Sequence, residues 1–194
     1  MLFPYFLKKE NMEEKELETA TLAGGCFWCT EAVFQRVDGV KEVISGFTGG
    51  NIKNPAYREV VTQRTGHAES VRIKFDPQKV TFEELLLMFF ATHDPTTLNR
   101  QQNDIGTHYR SAIFYHSEAQ RETAEKVIRQ LEEEKIFREP IVTQVTKAGE
   151  FYEAEQEHHD YYNQNRNQPY CRVIIDPKVQ KLRHTFSEKL KSEA

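Results

Sequence analysis

A short run of strand-forming residues, Thr19 to Ala23, stops at Gly24-Gly25, and Cys26-Phe27-Trp28-Cys29 then leads into an apolar-periodic segment, Thr30 to Val37. Strand, glycine turn and helix start packed into so few residues leave little choice of local structure, and they place Cys26 at the N-terminus of a helix. Unpaired N–H groups and the macrodipole there favour an anion, so the thiol of Cys26 is expected to lean toward thiolate. Cys29, three residues on and about 5–6 Å away on the same helical face, is within the span of a disulfide. One reactive thiol beside a second able to trap it makes a redox centre. Buried structural cysteines are the plainer alternative, but glycines before the pair and aromatics inside it suit a pocket better than a core.

The rest of the chain supplies a frame for that turn. Val40 to Phe47 alternates and ends at Thr48-Gly49-Gly50, and Ser70 to Phe75 alternates (Val71, Ile73, Phe75) before Asp76-Pro77. Thr81 and Glu84 form a capping box for a helix, Phe82 to Thr92, that is apolar almost all round and therefore central to the core. Ser111 to His116 reads as a strand, and Ser117 with Gln120 caps a long charged helix to about Lys135. Ile141 to Val145 alternates as a strand, Phe151 to Asn165 reads as a polar, aromatic helix, and Arg172 to Ile175 is an apolar run before a C-terminal helix. Strands with one apolar face imply a sheet with one exposed side, which predicts an α+β protein: a two-layer α/β sandwich with a mixed, mostly antiparallel sheet. Between Thr92 and Arg110 there is little pattern, and a loop of that length is often functional.

Without repeats or a Pro/Gly/Ser linker, the 194 residues read as a single catalytic domain over 19–194 after an N-terminal extension over 1–18 that is expected to be poorly ordered. Met1 to Leu7 is apolar but far too short for a signal segment or a span. A net charge of -4 gives no electrostatic reason to expect nucleic acid or anionic membrane as a partner. Three cysteines are too few for a disulfide-built secreted scaffold, so a cycling dithiol in the cytoplasm fits better. No metal is expected: zinc on Cys26 and Cys29 would need two further well-spaced ligands, and His67, His93, His158 and His159 read as structural.

The block Gly24 to Trp28 resembles the signature of the A-type peptide methionine sulfoxide reductases. Further words follow in that family's order: Gly46-Phe47-Thr48-Gly49-Gly50, Asn54-Pro55-Ala56-Tyr57-Arg58-Glu59-Val60, Gly66-His67-Ala68-Glu69-Ser70-Val71, His93-Asp94-Pro95-Thr96, Asn103-Asp104-Ile105-Gly106-Thr107-His108-Tyr109 and Ala154-Glu155-Gln156-Glu157-His158-His159. The resemblance runs from about Thr19 to Cys171. It implies the family's fold, built on a ferredoxin-like core, and reduction of methionine S-sulfoxide, free or in oxidised proteins, with thioredoxin as reductant, no cofactor and a monomeric enzyme.

It also implies roles: Cys26 as nucleophile, Glu69 as the acid at the sulfoxide oxygen, Tyr57 and Tyr109 as hydroxyl donors to it, Asp104 at the rim, and Phe27 and Trp28 as walls of a methyl slot. Each has a plain structural alternative, since a lone glutamate in an alternating strand is usually solvated and an aspartate before Ile-Gly is commonly a turn residue. Cys29 stands where the family often has glycine, Phe47 where it usually has tyrosine, and Cys171 lacks the glycine-rich tail with a further cysteine that often follows. Cys29 and Cys171 are both candidates to resolve the sulfenic acid, with Cys29 favoured by local geometry. A general thiol–disulfide oxidoreductase using Cys26-Phe27-Trp28-Cys29 is the rival reading, and a small metal-binding or interaction module a third.

Overall fold

Period-two alternation becomes a sheet in which each strand sends one row of apolar side chains to the same face. The computed structural model describes residues 16–192; most of the expected N-terminal extension lies outside the described residues. Strands β1 (Glu18–Gly24), β2 (Val40–Thr48), β3 (Ala68–Phe75), β6 (Ser111–Tyr115), β7 (Gln144–Lys147) and β8 (Tyr152–Glu153) form one sheet in the order β7-β6-β1-β3-β2-β8. Two short strands, β4 (Arg100–Gln101) and β5 (Asp104–Ile105), make a separate ribbon. Only the β6–β7 pairing is parallel, so the sheet is mixed and mostly antiparallel.

The helices are α1 (Phe27–Phe34), α2 (Tyr57–Val60), α3 (Phe82–Thr92), α4 (Glu118–Glu133), α5 (Tyr161–Gln164) and α6 (Asp176–Thr185). The inner strands lie in the order β6-β1-β3-β2, and with α1 and α3 they follow β-α-β-β-α-β along the chain, which is the ferredoxin-like arrangement. Leu22, Val71, Ile73, Phe75 and Ile113 pack from the sheet against Phe34 of α1, Leu85 and Phe89 of α3, and Leu182 of α6. Each such side chain contributes about 1.5–3 kcal/mol on burial. Thr81 Oγ1 accepts from the Glu84 N–H at 3.1 Å and Glu84 Oε2 accepts from the Thr81 N–H at 2.8 Å, so the capping box starts α3 where the sequence places it.

Four local expectations change. The second face of the sheet is not bare: Ala23, Ala68, Ala112 and Phe114 form a small buried cluster there, joined by Ala148. The strand expected at Ile141 to Val145 is β7, shifted to Gln144–Lys147, because the preceding Val142 N–H is taken by the Pro95 carbonyl and pairing with β6 begins only at Gln144. Phe151 to Asn165 is not one helix. Tyr152 and Glu153 are captured by the edge of β2, opposite Phe47 and Gly46, and Asp160 takes a left-handed φ of 53°, so only the short α5 is α-helical. The apolar run at Arg172 to Ile175 is part of a π-helical turn, Cys171–Ile175, that runs directly into α6.

The turn joining β1 to α1 depends on Gly25, whose φ is +90° and whose Cα leaves no room for a Cβ, which would sit 2.6 Å from Cβ of Gln101. Gln101 in turn clasps Asp94, accepting from its N–H at 2.9 Å and donating to its carbonyl at 3.0 Å. Gly25→Ala therefore combines backbone strain with a clash, and it should lower unfolding stability by about 1–3 kcal/mol. Denaturant melts check this, and an unchanged midpoint would contradict the account of the turn.

Candidate active site

Cys26 is the N-cap of α1, with φ −57° and ψ 125°, and its carbonyl accepts from the Cys29 N–H at 3.1 Å. The strand–turn–helix therefore puts it where the sequence predicts. Its charge state differs from the expectation. Cys26 is buried, and its thiol is held well above the ordinary range, first by burial and then by its hydrogen bond to Cys29. Cys29 is pushed the other way, chiefly because its sulfur accepts the hydrogen bond from Cys26. Burial therefore outweighs the helix terminus at Cys26, and of the two thiols it is Cys29 that is lowered.

Glu69 is the second buried titratable group at this turn. On β3 it precedes Val71, Ile73 and Phe75 at the same parity, so its side chain points into the core layer beside Phe47, its register partner on β2. It is 1% exposed. Oε2 accepts from the Phe27 N–H at 3.1 Å, while the buried Oε1 has no hydrogen-bond partner among the described residues. Burial pushes the carboxyl from 4.5 up to about 8, with the charge of Asp104 adding to it. At neutral pH Glu69 is a protonated acid with a free oxygen facing its surroundings.

The other expected residues converge on the same place. Phe27 is fully buried, 5.7 Å from the Phe47 ring and 6.4 Å from the Tyr57 ring. Trp28 is half-buried and lies flat on Tyr161, with ring centroids 3.7 Å apart and planes inclined by 8°. Tyr57 and Tyr109 are half-buried; burial pushes Tyr57 up to about 12 and raises Tyr109 as well, so both keep their hydroxyl protons. Asp104 on β5 accepts from the Tyr170 hydroxyl at 2.8 Å, and that hydroxyl lies 3.8 Å from Sγ of Cys29. Cys171 follows Tyr170, is fully buried, and is near enough to Cys29 for its charge to raise the Cys171 thiol, although burial is the main cause.

Several further residues, to which the sequence assigned no role in the site, join it. His158 is buried and packs against Phe27, Trp28 and Tyr57, 4.5 Å from the last ring, and burial lowers its pKa so that it stays neutral. Tyr161 and Tyr170 complete the aromatic wall, and Glu155 holds α2 by accepting from the Tyr57 N–H at 2.9 Å. His67 and His93 bond to backbone and hydroxyl groups, and His159 to the Ala154 carbonyl. Among the described residues no three His, Cys, Asp or Glu side chains are grouped to hold a metal ion.

An acid, a thiol pair and an aromatic slot in one cluster set the context for comparison with known proteins. Residues 18–190 match the family model described as peptide methionine sulfoxide reductase. The chain belongs to that family. The peptide methionine sulfoxide reductase MsrA 1 of Rhodopirellula baltica is 56% identical over 174 residues, covering 90% of each chain, and MsrA of Sulfolobus acidocaldarius is 54% identical, covering 89% of this chain and 97% of its own. Among solved structures, reduced Mxr1 from Saccharomyces cerevisiae is similar with a TM-score of 0.74 at 30% identity, covering 82% of this chain and 91% of its own. Methionine sulfoxide reductase A of Corynebacterium diphtheriae is similar with a TM-score of 0.68 at 39% identity, covering 77% and 76%.

The raised carboxyl of this reductase has a cost in stability. The folded protein keeps the Glu69 proton up to about pH 8, whereas the unfolded chain releases it near pH 4.5. As pH rises between those values the unfolded state binds fewer protons, so the native state loses stability. Glu69→Gln removes that loss and should stabilise the fold at neutral pH by about 2–3 kcal/mol, an advantage that vanishes near pH 4. Urea melts at the two pH values read it directly.

Proposed function

We propose that this site reduces methionine S-sulfoxide, free or in oxidised proteins, by attack of Cys26 on the sulfoxide sulfur. The observation that carries the proposal is Glu69: a carboxyl at 1% exposure, protonated to about pH 8, with one oxygen committed to the Phe27 N–H and the other unpartnered. A sulfoxide oxygen needs a hydrogen-bond donor and then a proton, and Oε1 of Glu69 can supply both. Tyr57 and Tyr109 keep their protons and add two more donors to that oxygen. Phe27 and Trp28 offer apolar faces to the methyl group, and a fixed slot with fixed donors admits one arrangement about the tetrahedral sulfur, which gives S over R selectivity.

As Cys26 attacks, its proton passes to the sulfur of Cys29, which already accepts its hydrogen bond, while Glu69 protonates the oxygen. Methionine departs and Cys26 is left as a sulfenic acid. Cys29 then attacks that sulfur, expelling the oxygen as water and forming a Cys26–Cys29 disulfide. Cys171, within electrostatic reach of Cys29, is placed to take the disulfide onward, and thioredoxin, a dithiol reductant, returns the enzyme to its free thiols. No cofactor is required, and the single domain over 19–194 acts as a monomer. No helix among the described residues is long and apolar enough to cross a membrane. Three free cysteines suit the cytoplasm.

A racemic methyl aryl sulfoxide tests the reaction: one enantiomer, the S form, should be consumed and the other left. Glu69→Gln should slow turnover by about 10²–10⁴-fold, and wild-type rates should fall as pH rises through about 8. A general thiol–disulfide oxidoreductase would lose none of its insulin reduction in that variant. Single-turnover mass spectrometry assigns the resolving thiol: Cys29→Ser should accumulate sulfenic acid at Cys26, whereas Cys171→Ser should still form the first disulfide. A normal Cys26 disulfide without Cys29 contradicts the assignment.

A further inference from the structure

The proposed reaction needs a base for Cys26 and a nucleophile at Cys29, and one buried cation lies beside that pair. Lys178 on α6 is only 8% exposed. Its Nζ donates to the carbonyl of Thr92, the last residue of α3, at 2.9 Å, and it pairs with no carboxylate among the described residues. Lys178 and Cys29 line the same small enclosed cavity, with Gly24, Val33, Phe89 and His93, which has room for about one water molecule. A buried ammonium with a single carbonyl partner is costly unless an anion lies close to it.

The charged and titratable groups around Cys29 narrow the choice of that anion. His93 contributes no charge, because burial pushes it down to about 3. Glu69 is protonated at neutral pH, and Cys171 is a raised, neutral thiol. Asp104 accepts from the Tyr170 hydroxyl, and its negative charge raises the Cys29 thiol, opposing a thiolate there. Tyr170 itself is raised by burial and stays neutral. The Cys26 thiol is raised, chiefly by burial. Lys178 is the cation left facing the pair, and its charge lowers the Cys29 thiol, after the hydrogen bond from Cys26.

We propose, resting on the reaction above, that Lys178 is a positioning residue: its buried ammonium fixes the single negative charge of the thiol pair on Sγ of Cys29. The same charge then serves twice. The Cys29 thiolate takes the Cys26 proton as Cys26 attacks the sulfoxide. After methionine leaves, Lys178 again favours the thiolate when Cys29 attacks the sulfenic sulfur; that sulfur is reduced, the Cys29 sulfur is oxidised, and the hydroxyl departs with a proton as water. No outside oxidant enters. The carbonyl contact alone is an ordinary helix C-terminal cap, so the test must read charge rather than fit.

Ultraviolet thiolate absorbance of the fully reduced chain, followed across pH, reads that charge without substrate. Lys178→Gln keeps a donor for the Thr92 carbonyl and removes the charge; it should raise the first thiolate midpoint by about one to three pH units. Lys178→Arg should hold the midpoint near that of wild type, and Cys29→Ser should abolish the low transition. The methionine burst at neutral pH should fall about tenfold in Lys178→Gln and recover at the higher pH where its thiolate forms. An unshifted midpoint in Lys178→Gln, or a burst that raised pH does not restore, overturns the role of Lys178. Wild-type protein that makes no methionine overturns the reaction itself, so the two failures are distinguishable.

Discussion

A carboxyl group sealed into an apolar layer organises this molecule. Glu69 occupies a position on β3 whose parity belongs to the core, between the row of Val71, Ile73 and Phe75 and the Phe47 ring of the neighbouring strand. An ionised carboxylate there would be prohibitively costly, so the group stays neutral and becomes a proton donor. Its one protein contact, the Phe27 N–H, ties it to the first turn of α1, beside the cysteine that it serves. Every other part of the site is arranged around that bond: the glycine turn that starts the helix, the aromatic rings that exclude water, and the tyrosines that keep their protons for the same reason that Glu69 does.

The thiol pair follows from the same economy of charge. A helix N-terminus can stabilise one anion, yet a buried environment and a second sulfur oppose ionisation of Cys26 itself. Cys29, one turn along α1, is instead the thiol that is lowered, first by the Cys26 side chain. In the proposed reaction Cys26 is the nucleophile, and its base is Cys29, the thiol that then resolves it. This differs from a helix-terminal thiolate acting alone, and it couples the two halves of the reaction through one proton.

Much of this was legible in the residues. Alternation at Val71, Ile73 and Phe75, the Thr81–Glu84 capping box and the glycine pair before Cys26 are local signals, and each sets its element where the structure has it. Glu69 was legible only through the family resemblance, because a lone glutamate in an alternating strand is more commonly solvated. What was not legible depends on distant chain. Tyr152 and Glu153 leave the helical pattern because the edge of β2 offers hydrogen bonds, and Asp160 breaks it again with a left-handed turn. His158, Tyr161 and Tyr170 become part of the site only when that broken segment and the turn before Cys171 fold back onto α1. Lys178 lies farther still along the chain, where it reads as one more charge on an amphipathic helix.

The central claim is that a neutral acid stands beside Cys26 at physiological pH. Carbon-13 NMR of side-chain-labelled glutamate, with Glu69 assigned by its loss in Glu69→Gln, follows that carboxyl directly. A titration midpoint near 8 is the predicted result. A midpoint near 4.5, the ordinary glutamate value, would contradict the account.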